Sequence, residues 1–165
     1  MFDRLPDLFD PLEFVEKKRR IEGRLHLSRL DRLQDVLLSS EGEVQVKLEF
    51  KREGRIPAVE GVVVADLTLQ CQCCLEPLPW PVRNGVHLGV VGSIDEIGLL
   101  PEELEPLWVE PGGVIAVTDI IQDELLLAIP SIPQHPVCRL PQTETVVSGK
   151  EHPFARLAEL KNNHR

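Results

Sequence analysis

From Glu43 to Phe50 the chain alternates polar and apolar residues without a break. Only a two-residue period does this. Val44, Val46, Leu48 and Phe50 therefore share one face, and Glu43, Gln45, Lys47 and Glu49 share the other. The run predicts a half-buried strand with one wet side. A second extended run covers Val62 to Gln70, with Val63, Ala65, Leu67 and Leu69 in phase with Cys71. A third covers Val82 to Val91, where Val82, Val86, Leu88 and Val90 alternate. Glu53-Gly54-Arg55 reads as a turn, and short connections of this kind imply antiparallel pairing.

Helical signals flank these strands. Asp10 can cap a helix, Pro11 suits its first position, and Glu13 can complete a capping box. This helix is expected to run to about Arg20. A second is expected from Ser28–Asp31 to Ser39, with Leu30, Leu33 and Leu37 on one face. Leu107-Trp108-Val109 and Val114-Ile115-Ala116 read as short strands around Pro111-Gly112-Gly113, and the first of them could be an exposed edge able to pair. Thr118 or Asp119 then caps a helix with Val117, Ile121, Leu125 and Ala128 as its buried stripe, widened by Ile120 and Leu127. Pro130 and Pro133 stop it. After Pro133 the chain reads as irregular to Lys150, and His152 begins a short amphipathic helix with Phe154, Leu157 and Leu160 on one face. The order predicts an α+β fold: an antiparallel β-sheet, partly closed and barrel-like, flanked by N-terminal, central and C-terminal helices. A single domain over 1–165 is expected, with a helical part at 1–40, sheet at 43–116, and helices at 118–130 and 152–162.

Charge is distributed unevenly. The net charge is −9. Between Asn84 and Cys138 there is no Lys or Arg, whereas Asp95, Glu96, Glu102, Glu103, Glu105, Glu110, Asp119, Asp123 and Glu124 all lie there. These nine acids equal the whole imbalance, leaving 18 acids and 18 bases elsewhere. An acidic middle repels a phosphate backbone. It is either a solvating face or a surface for a basic partner, with Glu102, Glu103, Glu105, Asp123 and Glu124 as the candidate contacts. Any RNA contact falls to the basic segments: Lys17, Lys18, Arg19 and Arg20 first, then Lys47, Lys51, Arg52 and Arg55, or Arg139 onward. At the end of a helix the first four would also complement its dipole. No apolar run is long enough to span a membrane and no export signal is visible. A cytoplasmic protein with four free thiols is expected.

Cys71-Gln72-Cys73-Cys74 follows the second strand, and Cys71 and Cys74 have the C-x-x-C spacing that brings two thiolates to one ion from a tight turn. His135 and Cys138 repeat the i, i+3 spacing. Together Cys71, Cys74, His135 and Cys138 could form a Cys3His zinc site. Metal-free thiols at a hairpin are the alternative, and a redox dithiol is a third reading. The redox reading is disfavoured because the motif joins two strands, not a loop to a helix N-terminus. No nucleophile–base arrangement, phosphate-binding glycine loop or small-molecule site stands out, so no enzyme is expected.

The segment from Leu69 to Pro77, LQCQCCLEP, resembles the signature of the YceD-like family, the large ribosomal RNA subunit accumulation proteins. Leu100 to Pro106 resembles that family's acidic loop, and Asp119 to Pro133 resembles its apolar helix ending in proline. His152 to Lys161 resembles its closing N-P-F-x-x-L-x-x-L-K segment. The resemblance spans about Leu5 to Lys161. Two positions depart from it: Cys73 stands where the family usually has Arg, and His135-x-x-Cys138 replaces a fuller C-x-x-C. The resemblance implies a non-enzymatic bacterial factor for synthesis, processing or stability of large-subunit (23S) ribosomal RNA. Its partners would be that RNA or its precursor, a basic ribosomal protein, or an assembly factor. The acidic charge favours the protein partner. A zinc-knuckle adaptor unrelated to ribosomes and a cytosolic thiol oxidoreductase are the competing functions.

Overall fold

The computed structural model describes residues 5–138. Its main body is a five-stranded sheet in the order β2-β3-β4-β5-β6, formed by Arg20–His26, Glu43–Glu53, Ile56–Gln70, Pro77–Val91 and Glu105–Trp108. β2 to β5 pair antiparallel with their sequence neighbours, and β6 runs parallel to β5. A separate two-stranded pair joins β1 (Leu8–Phe9) to β7 (Ile115–Ala116). Helix α1 spans Pro11–Glu16, α2 Ile94–Ile97 and α3 Val117–Ala128. One sheet face carries Val44, Val46, Leu48, Phe50, Val63, Val86 and Leu88, all buried. With Val15, Leu27, Leu30, Leu33, Ile121 and Leu125 they form one apolar core. The fold is α+β.

The sheet is not barrel-like, contrary to the expectation from its alternating strands. It is open, with β2 at one margin and β6 at the other. Closure would require β2 and β6 to bond, and β6 is only four residues long and contains Pro106, which has no N–H. The helices cover the apolar face instead.

Asp10 caps α1 as its residue type predicts, its carboxylate accepting from the N–H groups of Leu12 and Glu13. The helix stops at Glu16, one turn short of the expected end at Arg20. Lys18 takes a left-handed backbone (φ 46°), and the chain reverses directly into β2. The predicted second helix is absent. Leu30 and Leu33 are buried, but at two successive 3₁₀ turns, Leu27–Arg29 and Asp31–Leu33, and Leu37, beyond both turns, is half-buried. Residues three apart share a face in either geometry, so the leucine spacing alone does not separate them. In α3, Val117, Ile120, Ile121 and Leu125 are buried as expected, while Leu127 is 72% exposed. No side chain caps its start; Ala116 occupies that position.

β5 begins five residues before the run legible in the sequence and includes Pro77, Pro79 and Pro81. These stand opposite Gln70, Thr68 and Asp66 of β4. β6 covers only Leu88 to Val91, so this half of β5 is a sheet margin. Alternate residues there turn their N–H outward, where a proline costs no ladder bond and also blocks unwanted pairing. The tip between β3 and β4 uses Gly54 at φ 61°. The predicted C-terminal helix at 152–162 lies outside the described residues.

Candidate metal centre and charged surfaces

The β4–β5 turn builds the first half of a thiol cluster. The Cys71 N–H donates to the Glu76 carbonyl at 3.0 Å, and the Leu75 N–H donates to the Cys71 carbonyl at 2.9 Å. Leu75 completes the turn at φ 64°. The second half arrives from the segment after α3. The Gln72 N–H donates to the Pro133 carbonyl at 2.8 Å, docking one knuckle on the other. Cys71 Sγ then lies 3.7 Å from Cys138 Sγ, and Cys74 Sγ lies 3.4 Å from His135 Nδ1. The four ligand atoms all fall within 4.8 Å of one another, so Cys71, Cys74, His135 and Cys138 could hold a metal ion.

The thiol electrostatics fit that role. Burial pushes the Cys71 thiol up, but N–H donors from Cys74, His135 and Cys73, with the Cys74 thiol, outweigh it and bring its pKa down to about 5. The hydrogen bond that the Cys138 thiol donates to Cys73, followed by burial and its bonds to Cys74 and Cys71, raises Cys138 instead. One stabilised thiolate amid closely bonded thiols is the charge arrangement a divalent ion resolves. Cys71 has no exposed surface, so no substrate disulfide can reach its sulfur, which counts against the redox reading.

The acidic residues divide into three groups. Glu102 and Glu103 are exposed in the turn before β6, and Glu105 is the first residue of β6. Asp123 is neutralised by Arg32, whose Nη1 lies 2.6 Å from its carboxylate. Glu124 is only 5% exposed. Its Oε2 accepts from Asn84 Nδ2 at 2.6 Å, and it makes no ion pair among the described residues. Burial, then the Glu105 charge, raises its pKa, with Asp123 adding to this and the Asn84 bond and His87 opposing it. Glu105, Asp123 and Glu124 meet at a groove of about 290 Å³ between β6 and α3.

The four N-terminal cations do not act as one group. Lys17 pairs with Glu13, and Arg20 with Glu49 at 3.2 Å. Lys18 and Arg19 remain exposed without an ion pair among the described residues. The Arg19 carbonyl accepts from the Phe50 N–H at 3.0 Å, which sets them near the β3–β4 tip and its Arg52 and Arg55. Lys51 is taken up by Glu60 at 2.7 Å and Glu53 at 3.6 Å.

Arg32 and Asn84, which govern the state of Asp123 and Glu124, give no signal in the sequence. They lie 91 and 40 positions from the carboxylates they hold. Cys73 likewise reads only as a departure from a pattern, yet it bonds Cys138.

A family model described as "Large ribosomal RNA subunit accumulation protein YceD" matches residues 59–161. A protein of that name from Haemophilus influenzae is 29% identical over 168 residues, covering 96% of this chain and 97% of the relative. No solved structure matches the chain. Among the described residues no helix is long and apolar enough to cross a membrane.

Proposed function

The chain belongs to the YceD family, and we propose that it is a non-enzymatic cytoplasmic factor supporting synthesis, processing or stability of large-subunit (23S) ribosomal RNA. The names of its relatives tie them to accumulation of the large ribosomal RNA subunit. The factor acts through a basic protein partner that docks on the acidic side, with RNA contact secondary. One observation carries this reading: Glu102, Glu103, Glu105 and Glu124 make no ion pair among the described residues, while two of the four N-terminal cations are already paired. Two phosphate contacts from Lys18 and Arg19 are too few for tight RNA binding at cellular salt. Even four would lose roughly 1.7 log units between about 50 and 200 mM. The factor also carries a structural zinc ion, held by Cys71, Cys74, His135 and Cys138. That set of one imidazole and three thiols suits zinc, and four protein ligands leave no open position for catalysis.

The test uses sucrose gradients of cells lacking their own relative and carrying variants of this chain. Changing Glu102, Glu103 and Glu105 to Gln together is expected to reduce co-sedimentation with precursor large subunits several-fold, with folding unchanged because all three are exposed. Reversing Lys17 to Arg20 is expected to have the smaller effect. If the basic reversal abolishes association and the acidic changes leave it intact, the polarity of the contact is the opposite of this one.

A further inference from the structure

The groove between β6 and α3 holds a carboxylate that makes no ion pair among the described residues, with His87 acting on it only at a distance. Glu124 is 5% exposed, and its described side-chain partner is the neutral amide of Asn84. Glu105, which also lines the groove, carries the same sign. The cation at the groove, Arg32, is committed to Asp123. Burying a carboxylate beside another carboxylate costs stability, and that cost serves no purpose in the free protein. The walls beside it are Leu88, Leu107 and Ile120, with the exposed Leu127 at the rim. An apolar channel ending at two carboxylates fits a lysine or arginine: the alkyl stem lies along the leucines and the cationic head meets the acids.

The sheet margin beside the groove adds direction. β6 bonds only to β5, and Val109 continues the pairing through its N–H to the Val91 carbonyl at 2.9 Å. In a parallel ladder alternate residues turn to opposite sides, so Trp108 presents its N–H and C=O to the free edge and Pro106, which has no N–H, only its C=O. Trp108 is 59% exposed there. An extended segment lying along this edge would send alternate side chains toward the groove.

We infer that the β6–α3 groove is the docking site for an extended basic segment of a protein partner, with one lysine or arginine side chain received between Glu105 and Glu124. This rests on the acidic-docking reading above and names the pocket within it. Neutralising Glu124 removes the receptor and also removes a buried charge that has no ion pair among the described residues. Binding and stability therefore move in opposite directions, which a merely structural carboxylate would not produce.

The experiment titrates a fluorescent peptide of alternating lysine and valine with the full chain, following anisotropy at low salt. A peptide of alternating glutamate and valine is the charge control. The lysine peptide is expected to bind and the glutamate peptide is not. Glu124→Gln should weaken binding about tenfold or more while the melting temperature stays level or rises. Glu105→Gln, at an exposed position where folding is not at stake, should weaken it by a smaller factor. Glu41→Gln, in a distant exposed loop, should leave it unchanged. Equal binding by wild type, Glu124→Gln and Glu105→Gln, or no binding of the lysine peptide, overturns the inference. If the groove variants leave peptide binding intact but the triple glutamine variant still loses precursor subunits, the pocket falls and the broader reading stands. If the pocket behaves as expected and no acidic change affects precursor association, the broader reading falls instead.

Discussion

Treating purified protein with a strong chelator is expected to lower its melting temperature by about 10 °C or more if zinc is held as proposed. The size of the drop follows from what the ion joins. Sixty residues separate Cys74 from His135, and a cross-link closing a loop of that length contributes roughly 4 kcal/mol on chain-entropy grounds. For a domain of this size each kcal/mol corresponds to about 2–4 °C. The loss stops short of complete unfolding, unlike that of an isolated zinc finger. The core around Leu48, Phe50, Ile121 and Leu125 is built mainly on the sheet and α3, and the cysteines contribute to it only through Cys71 and the thiols packed at its margin.

Metal analysis of protein purified without chelator should return one zinc per chain. Cys71→Ser should reproduce the drop and abolish any further response to chelator. Cys73→Ser, beside the cluster but outside the four ligands, should keep the ion. A melting temperature indifferent to both chelator and Cys71→Ser would mean that the four side chains converge without a metal.

The parts of this molecule that are legible in its sequence are those set by near neighbours. β3 announces itself through eight alternating residues, and its inward set is the buried set. Asp10 and Pro11 mark the start of α1 because capping is a local hydrogen bond. The two cysteine-containing knuckles are visible because each is a four-residue spacing. Their matching spacings suggest one Cys3His set, and the structure brings the four together; how they meet is not visible, since it depends on how α3 returns across β5. Trp80 Nε1 donates to the Ala128 carbonyl at 3.1 Å and Asn84 reaches Glu124, and these bonds set where the chain after α3 begins its approach to Cys71.

Other features are hidden for similar reasons. β2 alternates Ile21, Gly23 and Leu25 inward, but the preceding capping signal and four cations make a longer helix the simpler reading. The helix stops at Glu16, and the chain turns at Lys18 in a left-handed conformation that residue type alone does not announce. β7 pairs with β1 across more than a hundred residues, where no local pattern can reach. The acidic middle is plain as composition. Its division into a neutralised Asp123, a buried Glu124 and exposed Glu102 and Glu103 comes only with the fold, which brings Arg32 and Asn84 alongside.

Phe50→Ala is expected to cost about 4 kcal/mol, enough to lower the melting temperature by about 8–16 °C. Phe50 is 1% exposed and packs in a ring triangle with Phe9 and Phe14. The centroid distances are 5.2 Å to Phe9, 5.3 Å to Phe14 and 4.9 Å between those two. Edge-to-face geometry adds about 0.5–1.5 kcal/mol per pair beyond area burial. The triangle fastens β1 and α1 onto β3, and β1 in turn pairs with the strand that leads into α3. Truncating Phe50 therefore loosens both ends of the described chain at once. Phe14→Ala should cost less, because that ring is only half-buried. The double change of Phe9 and Phe50 to Ala should cost less than the two single changes added together, since each ring's loss removes part of the other's packing. Chemical unfolding of these variants reads the differences directly. A loss below about 1 kcal/mol for Phe50→Ala would show that the helix and first strand are held by something other than these rings.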